Sequence, residues 1–246
     1  ALLSESRTDW VISELGILYA GGVCVPLSIL FKEGSDLKFR LEHSGSRWII
    51  VSGSQLHKIQ PIRHDLKNLE KLIILDPQGA YSQDEIYLGK IKEKGEGYRH
   101  KNHSKFIESI NSVTSDDYAN ICYTSGTTSD PKGVILSHGN YIANIEQALS
   151  LIKVPEWWST LLILPWDHSF AHTVGIYIMM ASGASFASVQ SGKSYYESLK
   201  NIPGNIREIK PVFMLSAPAL AKNFRKGIEK NIRAKGRFTE KLFRHA

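Results

Sequence analysis

The densest chemistry in the chain lies in Tyr123-Thr124-Ser125-Gly126-Thr127-Thr128-Ser129-Asp130-Pro131-Lys132-Gly133. Serine and threonine hydroxyls, one lysine and two glycines stand together, and nothing in that composition builds a core. It suits a polyanion. Glycines let backbone N–H groups come close to oxygens, hydroxyls donate further hydrogen bonds, and one ammonium neutralises charge. Gly126 and Lys132 have the spacing of the Walker A loop, G-x-x-x-x-G-K-[ST]. Pro131 has no N–H to give, however, and Gly133 stands where that loop needs a metal-binding hydroxyl. The stretch therefore reads as a phosphate loop of another kind, the plain alternative being a solvated polar connection.

The flanking residues say how such a loop is held. Ala119-Asn120-Ile121-Cys122 reads as a strand running into it. Val134-Ile135-Leu136 follows it, and Asn140 to Leu151 reads as a helix. Earlier, Asp9 to Ala20 has a helix pattern, with Thr8 or Asp9 as its cap and Gly21-Gly22 as its stop. Short strands are expected at residues 23–27, 47–51 and 71–75, with helices at 35–43 and 56–66. Ile49-Ile50-Val51 and Leu72-Ile73-Ile74-Leu75 are apolar on both faces, as strands of a covered parallel sheet must be. Strands alternating with helices at this spacing indicate βαβ units. Residues 80–103, rich in Lys, Glu and Gly, read as a surface excursion. Past the loop, strands are expected at 160–164, 184–189 and 212–215, and helices at 172–181, 194–202 and 219–233. Trp157-Trp158 reads as packing.

The chain has 246 residues, 42% of them hydrophobic, enough for one large domain or two smaller ones. Its formal charge of +6 comes from the C-terminal tail: residues 222–244 hold nine Lys/Arg against two Glu. Phe224, Phe238 and Phe243 recur there at helical spacing with Leu220, Ile228 and Ile232. The tail therefore reads as a core face with a solvated basic side, and nucleic acid is not an expected partner. Cys24 and Cys122 sit in apolar runs and read as two buried thiols of a reducing compartment. Residues 11–31 are apolar enough to raise a membrane question, but Glu14, Gly21-Gly22 and Pro26 divide them into helix, turn and strand.

A second polar constellation is Pro165-Trp166-Asp167-His168-Ser169-Phe170, at the C-terminal end of a strand. In parallel sheets that edge is where ligands bind. Asp167, His168 and Ser169 are adjacent and cannot form a hydrolase triad, which converges from separate elements. His172, one helical turn beyond His168, is a candidate for lining the entrance to such a ligand site.

The string from Tyr123 to Gly133, with Ser137-His138-Gly139-Asn140 after it, resembles the signature of the adenylate-forming superfamily: acyl-CoA synthetases, luciferases and peptide-synthetase adenylation domains. Ser129 departs from it, since the family usually has Gly there. Residues 15–27 resemble the family's helix–Ala-Gly–strand–Val-Pro-Leu element. Residues 165–170 and 210–243 resemble its long-chain fatty-acid–CoA ligase branch. The resemblance implies an α/β fold of parallel and mixed sheets flanked by helices. It implies two αβ subdomains, 1–160 with the phosphate loop and a partial 161–246, with the C-terminal lid domain outside the chain. Uncovered apolar surface at the second unit would favour self-association, such as a homodimer. The resemblance also implies ATP, Mg²⁺ and coenzyme A, with a fatty acid or other carboxylate as substrate. Thr124, Ser125, Gly126, Thr127, Thr128 and Lys132 would hold the phosphates. Thr124 would reach Mg²⁺, Lys132 would serve catalysis, and His168 would stand beside the acyl and nucleotide pockets. The family's Tyr-Gly-x-Thr-Glu and Thr-Gly-Asp motifs do not occur in these residues. The chain alone is therefore expected to be inactive, its parent cytoplasmic with peripheral membrane contact left open. Transfer to a carrier protein and a non-catalytic nucleotide-binding module remain alternatives.

Overall fold

The computed structural model describes residues 1–31, 34–124, 130–192, 194–216, 218–236, 241 and 243. It opens with β1 (Leu2–Leu3), α1 (Thr8–Tyr19), β2 (Pro26–Leu27), α2 (Ser35–His43) and β3 (Trp48–Val51). Next come α3 (Leu56–Ile59), a 3₁₀ segment at Gln60–Asp65 that accommodates Pro61, β4 (Lys71–Ile74) and β5 (Glu85–Tyr87). The five strands pair in the order β2-β1-β3-β4-β5, and every pair is parallel.

Side-chain alternation along these strands builds two cores, one on each face. Leu3, Leu27, Ile49, Val51, Leu72 and Ile74 face Leu37 and Leu41 of α2 and Ile59 of α3. Their neighbours Leu2, Ile50 and Ile73 face Trp10 and Val11 of α1, and Leu162, Trp166 and Ile176 from much later in the chain join that second core. One sheet thus organises distant sequence on both sides.

Helix α1 starts one residue before expectation. Arg7 occupies its cap position without a side-chain cap. The Arg7 guanidinium instead bridges Asp9 and Asp76, at 2.9 and 2.7 Å. Helix α1 has 12 residues, and among the described residues no helix is long and apolar enough to cross a membrane.

The expected polar excursion at 80–103 is an element pair: β5, then α4 (Leu88–Lys101), with α5 (His103–Asn111) after it. Arg63 draws β5 onto the sheet edge by pairing with Asp84 and with Glu85. Leu88 and Ile91 then anchor α4 on the second core, and Lys92 reaches Asp9 at 3.0 Å. Those few contacts outweigh Gly95 and Gly97, each of which costs about 1 kcal/mol of helix propensity.

Strands β6 (Tyr118–Thr124) and β7 (Lys132–Ser137) form an antiparallel hairpin, and α6 (His138–Leu151) follows. Cys24 and Asn120 form a parallel bridge, so the hairpin continues the first sheet beyond β2. Then come β8 (Ser159–Leu162), a π-helical segment (Ala171–Tyr177) running into α7 (Ile178–Ala181), β9 (Ser185–Ser188), α8 (Tyr195–Ile209) and α9 (Pro218–Ala234). Strands β8 and β9 are parallel. The π segment lies tight on β8: a Cβ at Gly175 would come within 2.5 Å of Leu162 Cδ2.

Three expectations change here. The strand at 212–215 reduces to one bridge, Thr160 to Phe213. Trp158 packs on Phe213, but Trp157 is 71% exposed. In the expected core face of α9, Phe224 and Ile232 are half-buried and Ile228 is exposed, because no element packs closely on that side among the described residues. Phe243 is exposed too, while the Leu220 side chain and Phe238 lie outside what is described.

Ile74 is fully buried in the first core. Ile74→Ala should lower unfolding free energy by about 2–5 kcal/mol, measured by urea denaturation.

Candidate active site

The hairpin register defines the mouth of the candidate phosphate loop. Thr124, the last residue of β6, pairs across with Lys132, the first of β7. Both are exposed, so one hydroxyl and one ammonium flank the loop that joins the strands. Ser125, Gly126, Thr127 and Thr128, together with Ser129, lie outside the described residues.

The base of the loop is pinned to the first core. Tyr123 and Ile121 pack against it. The Tyr123 hydroxyl lies 2.8 Å from His43 Nδ1 and 3.3 Å from the Arg40 carbonyl. Burial raises the Tyr123 hydroxyl pKa, so it stays neutral as a hydrogen-bonding group. Arg40 is itself buried. Its guanidinium lies 3.9 Å over the Phe31 ring and 5.6 Å from that of Tyr123, and donates to the Asp36 carbonyl at 2.7 Å. Gly133 has a packing reason of its own, since a Cβ there would come within 2.9 Å of Ile121 Cγ2. At the far end of β7, Ser137 and Asn140 form a reciprocal capping box that starts α6.

A cleft of about 80 Å³ opens at the C-terminal ends of β1, β2 and β8. Ile29, Leu164, Val189 and Ile202 give it apolar wall, and Glu5 and Asp167 give it carboxylates. Burial alone would raise the Glu5 pKa, but hydrogen bonds from Ser54, Gln55 and Ser52 hold it below the usual value. Burial raises that of Asp167, and hydrogen bonds and nearby histidines offset this only in part. His168 stands just past the cleft on an exposed turn and accepts a hydrogen bond from the Phe170 N–H at Nδ1, 3.2 Å.

His172 does not line an entrance. It is fully buried, 3.1 Å from Glu14 Oε1, because α1 and α6 close over it. Sequence reasoning also missed Asn120, Tyr141 and Tyr177 around that pair. The available signal was a glutamate inside an apolar helix pattern and an asparagine inside an apolar strand. Cys24 and Cys122 are free and buried, as expected.

Among the described residues no group of three or more His, Cys, Asp or Glu could hold a metal. Thr124 offers a single neutral oxygen. That donor set suits a cation carried in on nucleotide phosphates, which keeps most of its ligands from phosphate and water.

A parallel α/β sheet continued by a hairpin, with a lysine and a threonine paired at its mouth, defines an α/β protein with a candidate anion site. The chain belongs to the AMP-binding enzyme family, whose profile matches residues 1–242. That is an adenylate-forming, acyl-activating family. The chain is 25% identical over 253 residues to long chain acyl-CoA synthetase 8 of Arabidopsis thaliana, covering 99% of this chain and 34% of that protein. It is 26% identical over 256 residues to the long-chain-fatty-acid–CoA ligase ACSBG2 of Rattus norvegicus, covering 98% and 36%. It therefore spans about a third of the length of these relatives. Among solved structures, the anthranilate CoA ligase AuaEII in complex with anthranoyl-AMP superposes with a TM-score of 0.70 at 22% identity, over 89% of this chain and 40% of that one. The N-terminal domain of FACL13 from Mycobacterium tuberculosis gives 0.66 at 21% identity, over 91% and 50%. These likenesses show the fold: α/β, with parallel sheets flanked by helices.

The capping box sets where α6 begins. Ser137→Ala should cost about 1 kcal/mol of stability, read as a lower urea midpoint with an unchanged slope.

Proposed function

We propose that this chain is the phosphate-handling part of an enzyme that activates a long-chain fatty acid, using ATP to make an acyl-adenylate and then coenzyme A to make a thioester. The observation that carries it is Thr124 opposite Lys132 at the mouth of the signature loop, in a chain of the AMP-binding family. The relatives named as long-chain acyl-CoA synthetases and the apolar wall of the cleft support a fatty acid over other carboxylates.

In the first half-reaction a carboxylate oxygen bonds to the α-phosphorus while the α,β-bridging bond breaks and pyrophosphate leaves. Little covalent work falls to the protein; it positions the groups and stabilises charge. Lys132 would neutralise charge on the departing pyrophosphate, and Thr124 with Ser125, Gly126, Thr127 and Thr128 would donate hydrogen bonds to its oxygens. The Thr124 hydroxyl would help hold magnesium carried in with the nucleotide, which would supply positive charge against the phosphates. His168, with Nδ1 already engaged, would turn Nε2 toward the acyl and nucleotide groups. In the second half-reaction the sulfur of coenzyme A bonds to the acyl carbon, the acyl–phosphate bond breaks, AMP leaves and the thiol proton passes to solvent.

We assign the hairpin and first sheet to one αβ unit and the residues past about 160 to a second. The pairing of β8 with β9, away from the first sheet, supports that division.

The test is carboxylate-dependent ATP–pyrophosphate exchange by the full-length protein, with acids from acetate to palmitate. Exchange should peak with long acids, and Lys132→Ala should lower it about 100-fold, the usual effect of removing one anion-stabilising donor. A folded, ATP-binding protein that exchanges with no acid would refute the reading in favour of a non-catalytic nucleotide-binding module.

A further inference from the structure

Glu14 and His172 are both at zero exposure, with His172 Nε2 3.1 Å from Glu14 Oε1. The contact is an ion pair without the alignment of a hydrogen bond. Four elements meet at it. Glu14 comes from α1. Asn120 comes from β6 and donates from Nδ2 to Glu14 Oε1 at 3.2 Å and to the Tyr141 hydroxyl at 3.3 Å. Tyr141 comes from α6, and His172 from the π-helical segment. The His172 ring is stacked between Trp10 and Tyr177, with centroids at 5.2 and 5.9 Å, while Tyr141 meets it edge-on at 6.3 Å.

The sequence offsets matter. Asn120 is four residues before Thr124 on the same strand. Tyr141 is four residues past Ser137, where β7 ends. His172 is four residues past His168 on a continuous run of backbone bonds, His172 N–H to His168 carbonyl being 3.3 Å. Both polar loops are therefore tied by short, regular backbone to one buried charge pair. A π-helical turn is uncommon and tends to occur at functional sites, and here it presents His172.

We propose that Glu14 and His172 are positioning residues, whose ion pair fixes the hairpin mouth at Thr124 and Lys132 against the loop of His168. This rests on the proposed function only for what the two loops do, not for their being tied together. The pair touches no substrate and acts through those three residues. Its strength comes from burial: a charge left there without its partner is expensive, so the two elements cannot separate cheaply.

The groups facing His172 are Glu14, Cys122 on β6, Tyr141 on α6, Tyr177 on its own element, and Asp167 before it, and Cys24 from the segment before β2 faces Glu14. Burial lowers the His172 pKa, but the neighbouring Glu14 carboxylate and, after it, the Cys122 thiol outweigh it, and the imidazole is pushed up to about 9. Burial raises both tyrosine hydroxyls, which stay neutral. With the folded value above the usual 6.5, the pair's stabilisation is complete below 6.5 and is lost as pH rises through about 9.

The experiment is a pH titration from 6 to 10 of the isotope-labelled full chain, following the amide signals of Thr124, Lys132 and His168 and the His172 ring. Pyrophosphate exchange is followed in parallel on the full-length protein. All three amides should shift together with the His172 ring, with a midpoint near 9. In Glu14→Gln the midpoint should fall, and in His172→Gln the shared shift should vanish. The exchange kcat of His172→Gln should drop about 100-fold, as for a misplaced reacting geometry, with KM for ATP little changed and the alkaline limb of the rate profile gone. Amides of Thr124 and Lys132 that stay fixed through the His172 titration, in a wild type that exchanges normally, would overturn the proposal; this wild-type arm decides it even if the variants fail to fold. Amides that shift together in a protein with no exchange would uphold the positioning link and refute carboxylate activation. The absence of both would refute both.

Discussion

A glutamate and a histidine with no solvent contact constrain everything around them. Removing a carboxylate and an imidazolium from water is costly, and the cost is tolerated only where the charges meet and their surroundings are closed. Closing those surroundings takes Trp10 from the first helix, Tyr141 from the helix after the hairpin, and Tyr177 from the segment packed on β8. Trp10 also meets Trp166 edge-on at 5.6 Å. The same side chains that seal the ion pair thus bring together elements far apart in the chain.

The first sheet supplies the rigid frame for this. Its strands are short, with only two residues each in β1 and β2, yet alternate residues feed two separate cores. Parallel pairing needs both faces covered, and α2 and α3 cover one while α1 and α4 cover the other. The hairpin extends the frame through Cys24 and Asn120, so Thr124 and Lys132 stand at the end of a continuous backbone network. Thr124 and Lys132 are exposed while Ile121 and Tyr123 below them pack on the first core, which is the arrangement an anion site needs: donors free to meet a ligand, on a packed support.

The basic helix α9 presents the opposite case. Its apolar residues follow helical spacing, but Ile228 is 53% exposed. Periodicity reports that a face is apolar; it does not report whether anything covers that face. The chain spans about a third of its relatives' length, and burial of that face depends on what packs there.

What the sequence by itself determined was local. The signature string, the strand before it, the apolar strands expected at 47–51 and 71–75 and the stop at Gly21-Gly22 all depend on neighbours within a few residues, and their spacing states them. Tertiary structure decided the rest. Residues 80–103 looked like a solvated excursion because their composition is polar, and only contacts of Arg63 with β5 and of Leu88 with the second core make them strand and helix. Residues 212–215 looked like a strand, but pairing is a property of two segments, and only Val212 and Phe213 meet the backbone of β8. His172 looked like a rim residue from its distance to His168, and Glu14 looked like a break in an apolar stretch. Their meeting across 158 positions could not be read from either neighbourhood, because a buried ion pair exists only once the fold has brought both charges to the same dry place.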